Sequence, residues 1–208
     1  MALPHTSMRG RIPDEEGDGM KDFEFKISGS IYHFAEGHRA GATQVLPWLW
    51  LGGEEDVDEP LYGKLLKPEH VTPHAVSAEP KVHLWIDFRH DTPFNRKIYV
   101  PPSVAYIAMP FRDGDLEKAR RVLPLAKTLL DRVHEEGKSA LISCHAGVSL
   151  SAVLALWCMA EERDYEWAWR TLLFMRPHVA PHPVFEPILS ELARSYPAKD
   201  EPLRPAKP

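Results

Sequence analysis

Cys144 lies in the run Leu141-Ile142-Ser143-Cys144-His145-Ala146-Gly147-Val148-Ser149-Leu150-Ser151, where a strand gives way to a loop and then to an apolar helix. Unpaired amides and the helix dipole at such a boundary favour an anion, whether a thiolate or an oxyanion brought up to it. A thiol there is seldom a random core filler. A second candidate, Asp113, sits in Phe111-Arg112-Asp113-Gly114-Asp115, although Asp beside Gly is also ordinary turn chemistry. Cys158 follows Ser151 by seven residues on the same helix face. That is about 10 Å along the axis, so core packing is a better reading than a redox partner for Cys144. The eleven histidines are scattered, without the close pairing of a zinc site, and no metal or other cofactor is expected.

These residues need a sheet behind them and helices around them. Ser139 to Ile142 supplies the strand that feeds Cys144. Val82 to Arg89 is a short apolar run consistent with a central strand, and Val104 to Pro110 is another. Val45 to Gly53 reads as an apolar strand closed by a glycine turn, followed by a proline-bearing insertion to Glu79. Ala119, Val122, Leu123, Ala126, Leu129, Leu130 and Val133 share one helical face with Gly137 as the stop, and Pro124 inside it predicts a kink or a separate first segment. Three helices follow: about Leu150 to Arg163, from an Asp164 cap to about Met175, and from near Pro183 through Phe185, Ile188, Leu189 and Leu192. Strands alternating with helices imply an α/β sandwich.

At 208 residues and 44% apolar, the chain suffices for one sizeable core with tails. A net charge of −5 argues against a general nucleic-acid binder. No apolar stretch reaches the roughly 18 residues of a membrane span; Ala152 to Ala160 reads instead as buried helix. Two cysteines make no disulfide framework and the N-terminus lacks a signal pattern, which favours a reducing, cytoplasmic setting. Residues 1 to about 20 read as a loose polar tail, and Phe23, Phe25 and Ile27 with Ile31 to Phe34 as a hairpin turning at Ser28-Gly29-Ser30. The expected organisation is a partly disordered extension over 1–42, a domain over 43–195 and a disordered tail over 196–208.

The run around Cys144 resembles the His-Cys-x-x-Gly-x-x-Arg-Ser/Thr signature of cysteine-dependent phosphatases, with Ser143 in place of the His and Leu150 in place of the Arg. Other stretches are similar to the dual-specificity phosphatase family in order and spacing. They are Leu49-Trp50-Leu51-Gly52, Ile86-Asp87-Phe88-Arg89, Met109-Pro110-Phe111-Arg112-Asp113, and Arg176-Pro177 through His182-Pro183-Val184-Phe185, with His182 where Asn is usual. The resemblance covers about residues 43–195. It implies a dual-specificity-phosphatase-like sandwich, with a mostly parallel central sheet of about four or five strands flanked by helices.

By that resemblance Cys144 is the nucleophile that forms a phosphocysteine, Asp113 the general acid, and Ser151 the hydroxyl that bonds the thiolate and assists release. Asp115 is a substitute acid. His145, Ala146, Gly147, Val148, Ser149 and Leu150 occupy the phosphate-binding positions, largely through backbone amides. Leucine offers no donor where the family's Arg grips two phosphate oxygens; losing one such contact costs roughly 3–4 kcal/mol. Arg112, next to the acid, is a distant substitute. The expectation is therefore a pseudophosphatase with weak or absent phosphomonoester hydrolysis that binds a protein or phosphoprotein partner. The alternative is an active phosphatase on phosphotyrosine, phosphoserine/threonine or another phosphorylated substrate. Neither nucleic acid nor membrane is an expected partner, and the oligomeric state is left open.

Overall fold

The structure, a computed structural model, describes residues 41–62, 80–90 and 100–198, with three short strands closer to the N-terminus. Contacts divide the chain into two units, Met1–Arg39 and Ala40–Pro208. In the first, β1 (Ser7–Arg9), β2 (Glu24–Ile27) and β3 (Ser30–His33) form an antiparallel sheet in that order, with Glu24 facing His33 and Ile27 facing Ser30. β1 falls within the stretch read as a loose tail. Three residues around Met8 carry too little apolar alternation to announce a strand without the partner β2. The remainder of residues 1–20, the turn at 28–29, residues 63–79 of the insertion and the tail from 199 onward lie outside the described residues.

The second unit is built on five strands, β4 (Thr43–Leu46), β5 (Leu49–Gly52), β6 (Leu84–Asp87), β7 (Ala105–Ala108) and β8 (Ala140–Ser143), in the order β4-β5-β8-β6-β7. β4 and β5 pair antiparallel; every other ladder is parallel. β5, β6 and β8 are buried throughout, as expected of parallel strands covered on both faces. Their residues alternate between two cores. Leu49, Leu51, Leu84, Ile86, Ala140 and Ile142 join the larger cluster under the four long helices. Trp50, Trp85 and Leu141 face the other way, onto Val57, Leu61 and Tyr62. Leu61 and Tyr62 belong to α1 (Asp58–Tyr62), so the start of the insertion is the cover of the sheet's second face.

Three expectations are corrected. Val45 to Gly53 is not one strand but a hairpin, because Pro47 has no amide for the ladder and the chain reverses at Pro47-Trp48. Gln44 Nε2 closes the reversal by donating to the Pro47 carbonyl at 2.7 Å. β7 is an edge strand rather than a central one, with Ala105, Tyr106 and Ala108 exposed. Finally, Pro124 does not set off a separate first segment: α2 is one helix from Leu116 to Glu135. Pro124 and Arg120 are both exposed, so the carbonyl that loses its amide donor lies on the wet side of the helix.

The remaining helices follow the sequence reading. α2 ends at Gly137 in a left-handed conformation (φ 66°), with the Lys138 amide donating to Val133 O. α3 (Leu150–Glu162) is almost wholly buried and is the central helix. Asp164 caps α4 (Tyr165–Met175), accepting from the Trp167 amide at 2.8 Å. A short 3-10 turn, Pro183–Phe185, leads into α5 (Glu186–Ser195).

Candidate functional site

Cys144 is the first residue beyond β8, and the loop from His145 to Ser149 joins it to α3. The thiol is buried and accepts a hydrogen bond from Ser151 Oγ at 3.1 Å. Gly147 turns the loop with φ 71°, a conformation that favours glycine. A Cβ there would also come within 2.6 Å of Gly52 C and Gly53 N, so the loop rests directly on the backbone of that glycine pair. The contact is reciprocal, because a Cβ on Gly53 would meet the Ala146 carbonyl carbon at 2.8 Å. The Glu54 amide donates to His145 O at 2.9 Å, fixing the near end of the loop.

Arg176 holds that floor from across the domain. Fully buried, it donates through Nη1 to Gly41 O (2.9 Å), Thr43 Oγ1 (3.0 Å) and Leu51 O (3.3 Å), and through Nη2 to Asp56 Oδ2 (3.3 Å). Asp56 Oδ2 in turn accepts from the Gly53 amide at 3.0 Å. Sequence reading marked Arg176 and Gly52 only as pieces of a resemblance. Their joint role under the loop spans more than a hundred residues of chain and left no local signal.

Asp113 reaches the same loop. Ser149 Oγ donates to Asp113 Oδ1 at 2.7 Å and accepts from the His182 amide at 2.9 Å, while the Ala180 amide donates to Val148 O at 2.9 Å. Ser149 is therefore the junction of three segments. Gly114 (φ 97°) lets the Asp113 loop pass close to the His182 imidazole. Asp115 is engaged elsewhere: it is the N-cap of α2 and accepts from the Lys118 amide at 2.9 Å, which argues against it as a substitute acid. Arg112 is exposed beside Asp113.

The two positions that depart from the signature are both absorbed by the interior. Leu150 begins α3 buried in the larger core, 4% exposed, and brings no charge to the loop. Ser143 is fully buried; its hydroxyl accepts from Trp85 Nε1 (2.8 Å) and faces Asp87 Oδ1 (3.4 Å). Asp87 is held by Arg89 through Nε (2.9 Å to each oxygen) and by the Tyr106 hydroxyl (2.9 Å). Burial, reinforced by Asp87, pushes the Tyr106 phenol up to about 12. Arg89 also meets Glu54 at 3.4 Å, and Glu54 meets His145 Nδ1 at 3.3 Å. Cys158 is buried in α3, where burial pushes its thiol far up; both cysteines are free. Among the described residues no group of three or more His, Cys, Asp or Glu is placed to hold a metal, and no helix is long and apolar enough to cross a membrane.

No protein-family model and no curated protein matches the sequence. Solved structures do. The human tyrosine phosphatase-like serine/threonine/tyrosine-interacting protein is similar over 77% of this chain and 100% of its own, at 22% identity and a TM-score of 0.58. Human DUSP28 is similar over 77% of this chain and 98% of its own, at 17% identity and a TM-score of 0.55. The Cydia pomonella PTP-2 phosphatase is similar over 73% and 89%, at 25% identity and a TM-score of 0.52. With its five-stranded sheet flanked by helices and a cysteine loop between β8 and α3, this chain has the fold of the dual-specificity and tyrosine phosphatases.

Proposed function

We propose that this chain is a phosphatase-fold binding protein. Its Cys144 loop receives a phosphate group carried by a protein partner, and hydrolysis is weak or absent. The observation that carries this reading is Leu150: the residue at the position of the signature Arg is packed into the core, so the bidentate grip on a phosphoryl group is missing. The loop shape does not depend on that grip. Gly147, the Gly52-Gly53 floor and the amides of residues 145–149 define the cradle without it. The first neighbour described above is named as phosphatase-like and as an interacting protein, a combination this reading extends to the present chain. The domain carrying the function is taken as residues 43–195, and a cytoplasmic setting suits its two free thiols.

A second reading, slow phosphomonoester hydrolysis, is favoured by two contacts. Ser151 is bonded to the Cys144 sulfur, and Ser149 holds Asp113 at the loop. Cys144 Sγ would attack phosphorus as the ester oxygen departs with a proton from Asp113, and water would then cleave the phosphocysteine to release phosphate and the thiolate. Turnover of a small aryl phosphate by the wild-type chain, beside Leu150→Arg and Cys144→Ser, decides between them. Background rates in the wild type support binding. A Cys144-dependent rate of about 1 per second or faster overturns that reading.

A further inference from the structure

The residues that lead into β4 lie against the same glycine pair that carries the Cys144 loop. A Cβ on Gly52 would meet Ala42 Cβ at 3.4 Å and Ala42 Cα at 3.7 Å, with Asp56 Cβ at 3.1 Å. A Cβ on Gly147 would meet Gly52 C and Gly53 N at 2.6 Å. Ala42, Gly52 and Gly147 therefore form a chain of close contacts made almost wholly by backbone. Backbone has no alternative rotamer with which to take up a shift, so a displacement of residues 41–43 is passed on to the loop.

Hydrogen bonds run the same course. Arg176 Nη1 donates to Gly41 O at 2.9 Å, to Thr43 Oγ1 at 3.0 Å and to Leu51 O at 3.3 Å. Leu51 O belongs to the peptide group that ends at Gly52, and Leu51 is also the residue opposite Thr43 in the β4–β5 ladder. Nη2 donates to Asp56 Oδ2 at 3.3 Å, and the same oxygen accepts from the Gly53 amide at 3.0 Å. Both peptide groups that flank Gly52 are thus tied to Arg176, one directly and one through Asp56. The guanidinium is fully buried with Asp56 as its counter-charge, and the two acceptors it holds from outside the floor are Gly41 and Thr43.

We infer that residues 41–43 are positioning residues of the Cys144 loop: by holding the Gly52-Gly53 floor through Ala42, Thr43 and Arg176, they set the affinity of the loop for an oxyanion. The inference rests on the reading of the loop as an oxyanion site, and it moves the start of the functional domain from Thr43 to Gly41.

Sulfate titrations of the full chain, followed by NMR at the amides of residues 145–149 at fixed pH and ionic strength, test it. Thr43→Val keeps the outline of the side chain but removes an acceptor from Arg176. It should weaken the sulfate Kd about threefold, part of what one buried hydrogen bond contributes. Thr43→Ser restores the acceptor and should return the Kd to the wild-type value. Ala42→Val adds bulk beside Gly52 and should weaken binding by a similar factor. Ile188→Val trims the core within α5, outside the clamp, and should leave the Kd unchanged although it also lowers stability. An unchanged Kd in Thr43→Val or in Ala42→Val, a weakening that Thr43→Ser shares, or an equal weakening by Ile188→Val overturns the inference while leaving the oxyanion site standing. No sulfate shift in the wild type overturns both.

Discussion

The floor beneath the Cys144 loop and the end of the loop that enters α3 treat charge in opposite ways. Under the floor, a fully buried guanidinium is fixed by three backbone or hydroxyl acceptors and a carboxylate, and its effect is to hold Gly53 against Ala146 and Gly147. At the α3 end, the chain places the apolar Leu150 in the core. Charge is invested beneath the loop and is absent from the residue that begins α3. The shape of the loop is therefore held by contacts that do not involve the side chain of Leu150.

The comparison can be broken most severely at Arg176. Arg176→Leu strands Asp56 and several buried acceptors, and should cost about 3–5 kcal/mol in denaturant unfolding. A loss below about 1 kcal/mol would mean the floor does not depend on the clamp. At the opposite end, Leu150→Arg should raise aryl phosphate turnover by about 10²-fold while lowering stability, because a core leucine is lost. Ser143→His added to it should increase the rate further only if the imidazole finds room among Trp85 and Asp87. An unchanged rate in Leu150→Arg would show that the cradle lacks more than a cation.

Gly147→Ala sharpens the contrast from the side of shape alone. It forces a side chain into the left-handed region and onto Gly52, at a cost of about 1–3 kcal/mol, and should abolish sulfate shifts at the loop amides while the rest of the spectrum persists. Ser149→Ala removes the bonds to Asp113 and from the His182 amide; a loss of about 1 kcal/mol is expected, with amide shifts spreading to residues 112–114 and 180–183. The smallest effect is at Tyr106. Its phenol is held protonated to about 12, so the stability it contributes is intact below about pH 10 and is lost as pH rises through 10 to 12. Tyr106→Phe should unfold less steeply than the wild type across that alkaline interval, and equal slopes would place the phenol outside the folded network.

Much of the scaffold around Cys144 was legible because it is local. β8, the loop and α3 follow from a short apolar run, a glycine and a long apolar helix, and the Asp164 cap of α4 lies three residues from the amide it accepts from. The order of apolar runs likewise sufficed for a mostly parallel α/β sheet. What local pattern could not decide was which side of an element meets water. Pro124 leaves α2 unbroken because it falls on the exposed face, and the run around Tyr106 became an edge strand because nothing in the described residues pairs beyond it. The insertion's first helix covers a face of the sheet whose partners, Trp50, Trp85 and Leu141, are far apart in the chain. The clamp through Arg176 and Asp56, and the burial of Leu150, were decided only by tertiary structure. Each rests on groups that folding brings together from distant segments, and a side chain's surroundings, rather than its type, determine whether it meets a ligand or the core.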